Sequence, residues 1–280
     1  MRKIALGTVQ FGLNYGVTNL RGKTELSELE GILKCARENG IDILDTAPDY
    51  GDSEQVLGKV GVKEYRIVTK TESVDLGSDA VIRSFMQSLD SLQIDNVYGL
   101  LIRAKDAYQT EIRSLYAKIS QLKEQGVIEK IGFSVYSADQ VDFLLNHFDF
   151  DLIQLPFNVF DSRLVQSGKL KLLKSAGVEV HARSVFLQGV LLDFDNLPQY
   201  FQPWNEQFAK YQEMVFESGM SLLEYSLNFV LNTPEIDKVL IGVGNQKQLE
   251  EILQSEMSSV DLKPFPIDDV NLLNPSLWGV

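Results

Sequence analysis

The sequence predicts an α/β fold of the (β/α)8 TIM-barrel type, and three observations predict it. Short apolar, β-branched runs alternate with longer segments of helical period, and the alternation repeats eight times. The chain has 280 residues, close to the ~250 typical of such barrels. The turn after the first apolar run reads Gly7-Thr-Val-Gln-Phe-Gly12, which lacks the glycine spacing of the doubly wound alternative. No low-complexity linker interrupts the pattern, and no repeat shows beyond the alternation itself. One domain over residues 1–280 is the expectation.

Strands are expected at residues 3–6, 42–44, 65–69, 97–102, 130–133, 152–155, 178–182 and 238–241. Between the first two, Leu26, Leu29, Ile32, Leu33 and Ala36 recur at helical spacing, and Gly40 ends the run. Ile82, Phe85, Met86, Leu89 and Leu92 do the same after the third. Ser137-Ala-Asp-Gln140 carries the capping-box pattern ahead of Val141, Leu144, Leu145 and Phe148. The longest irregular stretch runs from residue 186 to about residue 203. It holds Phe194, Tyr200 and Phe201, with Trp204 and Phe208 just beyond. A loop this long in a compact barrel is usually functional, and two roles are open for its rings: lining a pocket, or anchoring the loop. The tail, residues 271–278, is expected to fold back over the barrel mouth.

Composition bounds the function. Apolar content of 44% and charged content of 23% are ordinary for a globular enzyme. A net charge of −13, with no basic run, opposes non-specific nucleic-acid binding. It leaves small substrates open, because a local pocket can be basic on an acidic protein. The single cysteine, Cys35, allows no intrachain disulfide and reads as a small core residue of a helix. The N-terminal residues lack a signal-peptide stretch, and no run approaches the ~20 apolar residues of a membrane span. A cytoplasmic protein with no membrane or nucleic-acid partner is the expectation.

The chemistry concentrates in Asp45-Thr-Ala-Pro-Asp-Tyr50-Gly and Arg66-Ile-Val-Thr-Lys70. Asp45, Tyr50 and Lys70 each follow an apolar run, so each is expected where a strand ends. A carboxylate there holds the lysine charged, and the lysine favours tyrosinate by lowering a phenol pKa that starts near ~10. Such a phenol is the acid needed to protonate a carbonyl oxygen as hydride reaches its carbon. The plainer reading of Asp45 and Lys70 is a structural ion pair; Tyr50 in the matching place favours catalysis.

Residues Leu44-Asp45-Thr-Ala-Pro-Asp-Tyr50-Gly-Asp-Ser-Glu54, with Leu57-Gly58, resemble the Asp-and-Tyr signature of the aldo-keto reductase family. Val68-Thr-Lys70 is similar to its catalytic lysine strand. Lys130-Ile-Gly-Phe-Ser134 and Ile153-Gln154-Leu-Pro-Phe-Asn158 resemble the strands whose serine and glutamine face the cofactor carboxamide. Val180-His-Ala-Arg183-Ser184-Val-Phe-Leu-Gln-Gly189 resembles the strand and turn of the nicotinamide-stacking residue and pyrophosphate contacts. The stretch from Leu240 to Glu251 resembles the adenosine-phosphate loop and its helix. In order, each at a strand end, they make a strong signal over nearly the whole chain. The resemblance implies a metal-free, NAD(P)-dependent oxidoreductase, monomeric, using NADPH or NADH on a small carbonyl substrate. It implies Tyr50 as proton donor, Lys70 tuning Tyr50, and Asp45 holding Lys70. Cofactor contacts are implied for Gly7, Thr8, Ser134, Gln154, Arg183, Ser184, Phe186, Gln188, Gly242, Gly244, Asn245 and Gln248.

Two departures stand out. Where the family usually has a histidine after the fourth strand, Arg103 follows Gly99-Leu-Leu-Ile102. Arginine stays charged, donates through a rigid fork and cannot relay protons. A fixed positive charge near Tyr50 should also favour tyrosinate. Arg103 could clamp an anionic substrate, stabilise the developing oxyanion, leave the site catalytically feeble, or turn away into a salt bridge. Neither histidine replaces it: His147 reads as a helix-boundary residue and His181 as a satisfied interior one. The second departure is at the adenosine end. Gly242, Gly244 and Gln248 stand where NADP-preferring members commonly carry basic residues, and only Lys247 is basic, which puts strong NADPH preference in doubt. Arg183 takes the place of a stacking aromatic. The leading reading is reduction of a sugar-like or anionic carbonyl compound. The alternatives are a cofactor-binding barrel with weak or lost catalysis, and a Schiff-base lyase using Lys70, which Asp45 opposes by keeping the amine protonated.

Overall fold

The computed structural model describes residues 2–257 and 259–279. Eight parallel strands close into a barrel in chain order: β1 (Ile4–Gly7), β2 (Ile43–Asp45), β3 (Arg66–Lys70), β4 (Val97–Arg103), β5 (Ile128–Ser134), β6 (Leu152–Pro156), β7 (Glu179–Arg183) and β8 (Lys238–Gly242). Closure runs through β1 and β8, with Ile4 opposite Val239 and Gly7 opposite Gly242. The outer layer comprises α1 (Leu26–Glu38), α2 (Ser53–Val60), α3 (Ser78–Leu92), α4 (Ile112–Glu124), α5 (Ala138–His147), α6 (Lys169–Ser175), α7 (Asn205–Glu217), α8 (Leu222–Leu231) and α9 (Gln246–Gln254). This is the expected TIM barrel; a closed ring excludes the doubly wound sheet.

Every strand ends one residue later than its apolar run suggested. The added residues are Gly7, Asp45, Lys70, Arg103, Ser134, Pro156, Arg183 and Gly242. A hydropathy criterion stops at a polar or small side chain, but ladder pairing asks only for backbone groups. The pairing in fact runs past several of these ends, as when Thr8 donates to the Asp45 carbonyl at 3.0 Å and Thr71 to that of Leu101 at 2.9 Å.

Alternation along the strands builds a layered interior. Ala5, Ile43, Val68, Leu101, Leu152 and Leu240, with Tyr98, form an apolar plug inside the barrel, separate from the larger core between strands and helices. Towards the strands' amino ends lies a polar layer. Glu179 accepts hydrogen bonds from Tyr98 at 2.6 Å, from His181 Nε2 at 2.7 Å and from Lys130. Asp42 pairs with Lys238 at 2.9 Å and with Arg66. Burial alone would raise the Glu179 pKa, but the bonds from His181, Lys130 and Tyr98 outweigh it and hold the carboxyl well below its ordinary range. His181 is fully buried, yet its Nδ1 has no hydrogen-bond partner among the described residues. The expectation of a satisfied interior histidine is therefore only half met.

The helices follow their patterns. On α1 the buried face is Leu29, Ile32, Leu33, Cys35 and Ala36. On α3 it is Val81, Phe85, Ser88, Leu89 and Leu92, with Met86 turned to solvent, so the buried stripe is rotated from the expected one. Ser137 and Gln140 form the expected capping box of α5. His147 is exposed at the end of that helix, its Nδ1 2.7 Å from the Phe143 carbonyl.

The long loop after β7 contains two short 3-10 segments, Leu187–Leu192 and Gln199–Trp204. Its aromatics are anchors: Phe201, Trp204 and Phe208 are buried, and Phe194 stacks on Phe208 at 4.7 Å. The tail packs onto them through Trp278, buried and edge-on to Phe201. Among the described residues no helix is long and apolar enough to cross a membrane.

Candidate active site

The carboxyl ends of the strands surround a cleft of about 910 Å³. Its lining includes Gly7, Asp45, Tyr50, Lys70, Arg103, Ser134, Gln154, Arg183 and Gly242, contributed by all eight strands and the loop after β2. Stagger in a tilted barrel puts Arg103, Ser134, Gln154 and His181 on one hydrogen-bonded row, descending from rim to interior.

At the floor, Lys70 Nζ donates to Asp45 Oδ1 at 2.7 Å and to the Thr46 carbonyl at 2.9 Å. Gln154 Nε2 donates to the other carboxylate oxygen at 2.6 Å. The ammonium also lies 4.8 Å from the Tyr50 ring centroid. Burial disfavours a charged lysine, but Asp45 and Tyr50 outweigh it and raise the Lys70 pKa above its ordinary value. For Tyr50 the outcome differs from the expectation. Desolvation raises its pKa, Lys70 lowers it, Asp45 and Asp49 raise it again, and the net direction is up. The phenol keeps its proton more firmly than a free tyrosine.

Local packing places Tyr50. Gly12 lies so close that a Cβ there would sit 1.7 Å from the Tyr50 carbonyl oxygen. Ser53, at the start of α2, donates to the Thr8 carbonyl at 2.9 Å, tying the loop to β1. Glu54 is buried and accepts from Thr69 Oγ1 at 2.8 Å, fixing α2 to the residue before Lys70. Burial raises its pKa.

Arg103 spends two of its nitrogens locally. Nη2 donates to Asp49 at 2.7 Å and Nε to the Thr71 carbonyl at 3.2 Å, while Nη1 has no partner among the described residues. The salt bridge foreseen for this residue exists, but it lies in the cleft wall rather than away from it. Arg183 lies over the Tyr136 ring, its central carbon 4.3 Å from the centroid.

Of the expected cofactor contacts, Gly7, Thr8, Ser134, Gln154, Arg183, Ser184, Phe186, Gln188, Gly242, Gly244 and Gln248 all line this cleft. Asn245 does not; its Oδ1 caps α9, accepting from the Gln248 amide at 3.0 Å. Ser184, Leu187 and Gln188 hold left-handed φ angles of 58°, 47° and 55°. Such strain concentrates at ligand clamps. The loop after β1 braces the turn, Val17 donating to the Gln188 carbonyl at 3.0 Å.

Several lining residues escaped the sequence reading: Gln10, Tyr15, Asp49, Lys105, Tyr136, Glu251, Asn274 and Ser276. Asp49 lies within the quoted motif, and Lys105 and Tyr136 stand two residues past strand ends, so position offered a signal for these. Asn274 and Ser276 belong to the tail expected to fold back over the barrel mouth, though neither was singled out.

A nicotinamide dinucleotide fits these residues. The cleft is large and bounded by glycines; at Gly242 a Cβ would lie 2.5 Å from the Gln10 amide. Gln10 Oε1 is a buried acceptor without a partner among the described residues. The lone pairs of such an oxygen suit a ribose hydroxyl or carboxamide donor.

An oxidoreductase class is what this barrel and cleft define, and the comparisons place it. The aldo/keto reductase family pattern matches residues 3–273, so the chain belongs to that family. It is 30% identical over 210 residues to glyoxal reductase of Bacillus subtilis, spanning 71% of each chain. It is 23% identical over 301 residues to the NADH-specific methylglyoxal reductase of Escherichia coli, covering 90% of this chain and 92% of that one. The fold matches a holo-form aldo-keto reductase from Bacillus halodurans with a TM-score of 0.76, at 22% identity over 92% of this chain and 88% of that chain. The protein is an NAD(P)-dependent oxidoreductase.

Proposed function

We propose that the protein reduces the carbonyl of a small polar substrate, sugar-like or anionic, with Tyr50 as proton donor. The observation that carries this is the buried Asp45–Lys70 pair at the cleft floor, with the half-buried Tyr50 ring beside the ammonium. A bound reduced nicotinamide supplies the hydride. Lys70, kept protonated by Asp45, lies beside Tyr50 and so steadies the charge that grows on its oxygen as the proton leaves. Asp45 is fixed from its far side by Gln154, whose Oε1 remains to accept from the cofactor carboxamide. A lysine this firmly charged is a poor Schiff-base nucleophile, which sets aside the lyase alternative.

Arg103 supports an anionic substrate. Its free Nη1, with Lys105 nearby on the rim, provides donors for a carboxylate or phosphate. For the cofactor, the residues favour NADH. Lys247 is exposed and paired with Glu251 at 3.6 Å, and Glu251 lines the cleft, where it would repel a 2′-phosphate. The name of the Escherichia coli relative agrees.

The test is Tyr50→Phe, assayed by dinucleotide absorbance against glyoxal, methylglyoxal and phosphorylated or carboxylated aldehydes with each cofactor. Turnover should fall by at least about 100-fold while dinucleotide affinity stays. Unchanged rates would remove Tyr50 from the chemistry.

A further inference from the structure

The ion pairs at the cleft leave its charges unevenly matched. Lys70 is paired with Asp45, and Arg103 with Asp49, each at 2.7 Å. Arg183, the last residue of β7, has no carboxylate within ion-pair distance among the described residues, yet it is held firmly. One nitrogen donates to the Val135 carbonyl at 3.1 Å and another to Ser184 Oγ at 3.3 Å, and the guanidinium lies over the Tyr136 ring, 4.3 Å from its centroid. These contacts carry it across β6 to the residues that follow Ser134. Ser134, Gln154 and Arg183 line one cleft.

We propose that Arg183 makes the site distinguish the two redox states of its cofactor, binding the reduced dinucleotide more tightly than the oxidised one. This rests on the reading that a nicotinamide occupies the cleft beside Ser134 and Gln154. The reduced ring is neutral and the oxidised ring carries a positive charge; the rest of the molecule is the same in both. A guanidinium plane can stack on either ring, but it repels only the pyridinium. Contacts to ribose and pyrophosphate cancel in the comparison. Asp45 and Asp49 do not offset the repulsion, since each already has its own cation. Tyr136 and the Val135 carbonyl keep Arg183 from swinging to solvent when the ring becomes charged. By linkage the bound couple is shifted so that the oxidised form is easier to reduce than in solution.

Calorimetric titration of the purified protein with NADH and NAD+, and with their 2′-phosphorylated counterparts, tests this for wild type, Arg183→Met and Arg183→Lys. Wild type should bind the reduced form about tenfold more tightly, the scale of one charge at a partly exposed site. Arg183→Met should bring the two affinities within about twofold, by gaining on the oxidised form; Arg183→Lys should keep most of the difference. An unchanged ratio in Arg183→Met overturns the proposal. So does an equal loss of both affinities, which would make Arg183 a plain contact. Equal affinities in wild type sink the discrimination alone, whereas no binding of any dinucleotide sinks the cleft assignment with it.

Discussion

Replacing Lys70 by methionine isolates the pair on which the site is built. Both partners are nearly out of water, with side-chain exposures of 7% for Lys70 and 5% for Asp45. Removing one member of a buried pair costs about 3–5 kcal/mol, because the other charge remains unpaired in a poor solvent. Gln154 still donates to one Asp45 oxygen at 2.6 Å, so the lower end, about 3 kcal/mol, is expected. Each kcal/mol moves the melting midpoint of a chain this large by about 2–4 °C, giving a fall of about 6–12 °C at pH 7. The pH dependence gives the cause. In wild type the folded Lys70 pKa is raised, so the contribution of the pair is present at neutral pH and is lost only on the far alkaline side. In Lys70→Met the lone Asp45 is easier to protonate folded than unfolded, so the deficit should shrink as pH falls from 7 towards 5. Adding Asp45→Asn should recover most of the lost stability. Urea and thermal unfolding of the three proteins across that range decide the matter. A single variant as stable as wild type, or a deficit that ignores both pH and the second substitution, would refute a buried, charged pair.

Two further outcomes are expected. Arg103→His removes a half-exposed pair with Asp49, so stability should change by less than about 1 kcal/mol. Rates on neutral aldehydes should rise and those on anionic ones fall, and a fall on every substrate would show that the arginine does not serve an anion. Glu179 has a depressed folded pKa, so its stabilisation is present above the ordinary carboxylate value of 4.5 and drains away as pH falls below it. Glu179→Gln should therefore be less stable at pH 7 yet flatten the acid limb of the stability curve; an identical acid limb would locate the acid sensitivity elsewhere.

The barrel was readable because each strand carries a short run of apolar, mostly β-branched residues, while each helix is apolar on one face. The strand ends were misplaced for the same reason that made the site readable. At those ends polar side chains face the cleft, so a criterion of chemical type finds Asp45, Lys70, Arg103, Ser134 and Arg183 where hydropathy fails. What stayed hidden depends on contacts distant in sequence. Asp49 becomes the partner of Arg103 only through the meeting of β4 with the loop after β2. The tail was expected over the barrel mouth, but which of its residues reach the cleft, Asn274 and Ser276, depends on contacts such as Trp278 against Phe201. The Tyr50 pKa was misjudged because a pairwise estimate counts the lysine and omits the desolvation of the phenol.

The substitution of arginine for histidine is then better described as the gain of a pair. Arg103 comes with Asp49, and together they add no net charge to the wall of the cleft. Asp49 acts on the Tyr50 pKa, and it acts upward. The expectation that arginine would turn the phenol into a base therefore fails on electrostatic grounds. A phenol that holds its proton is suited to giving it to a carbonyl oxygen, provided the charge left behind is met, and Lys70 is in place to meet it. On the proposed reading Arg183 adds a second bias in the same state. It fills the resting site with reduced cofactor, which tightens a reactant and so lowers no barrier by itself. Its kinetic value lies after the chemistry, where repulsion of the pyridinium speeds departure of the oxidised cofactor; release steps of this sort limit turnover in many enzymes.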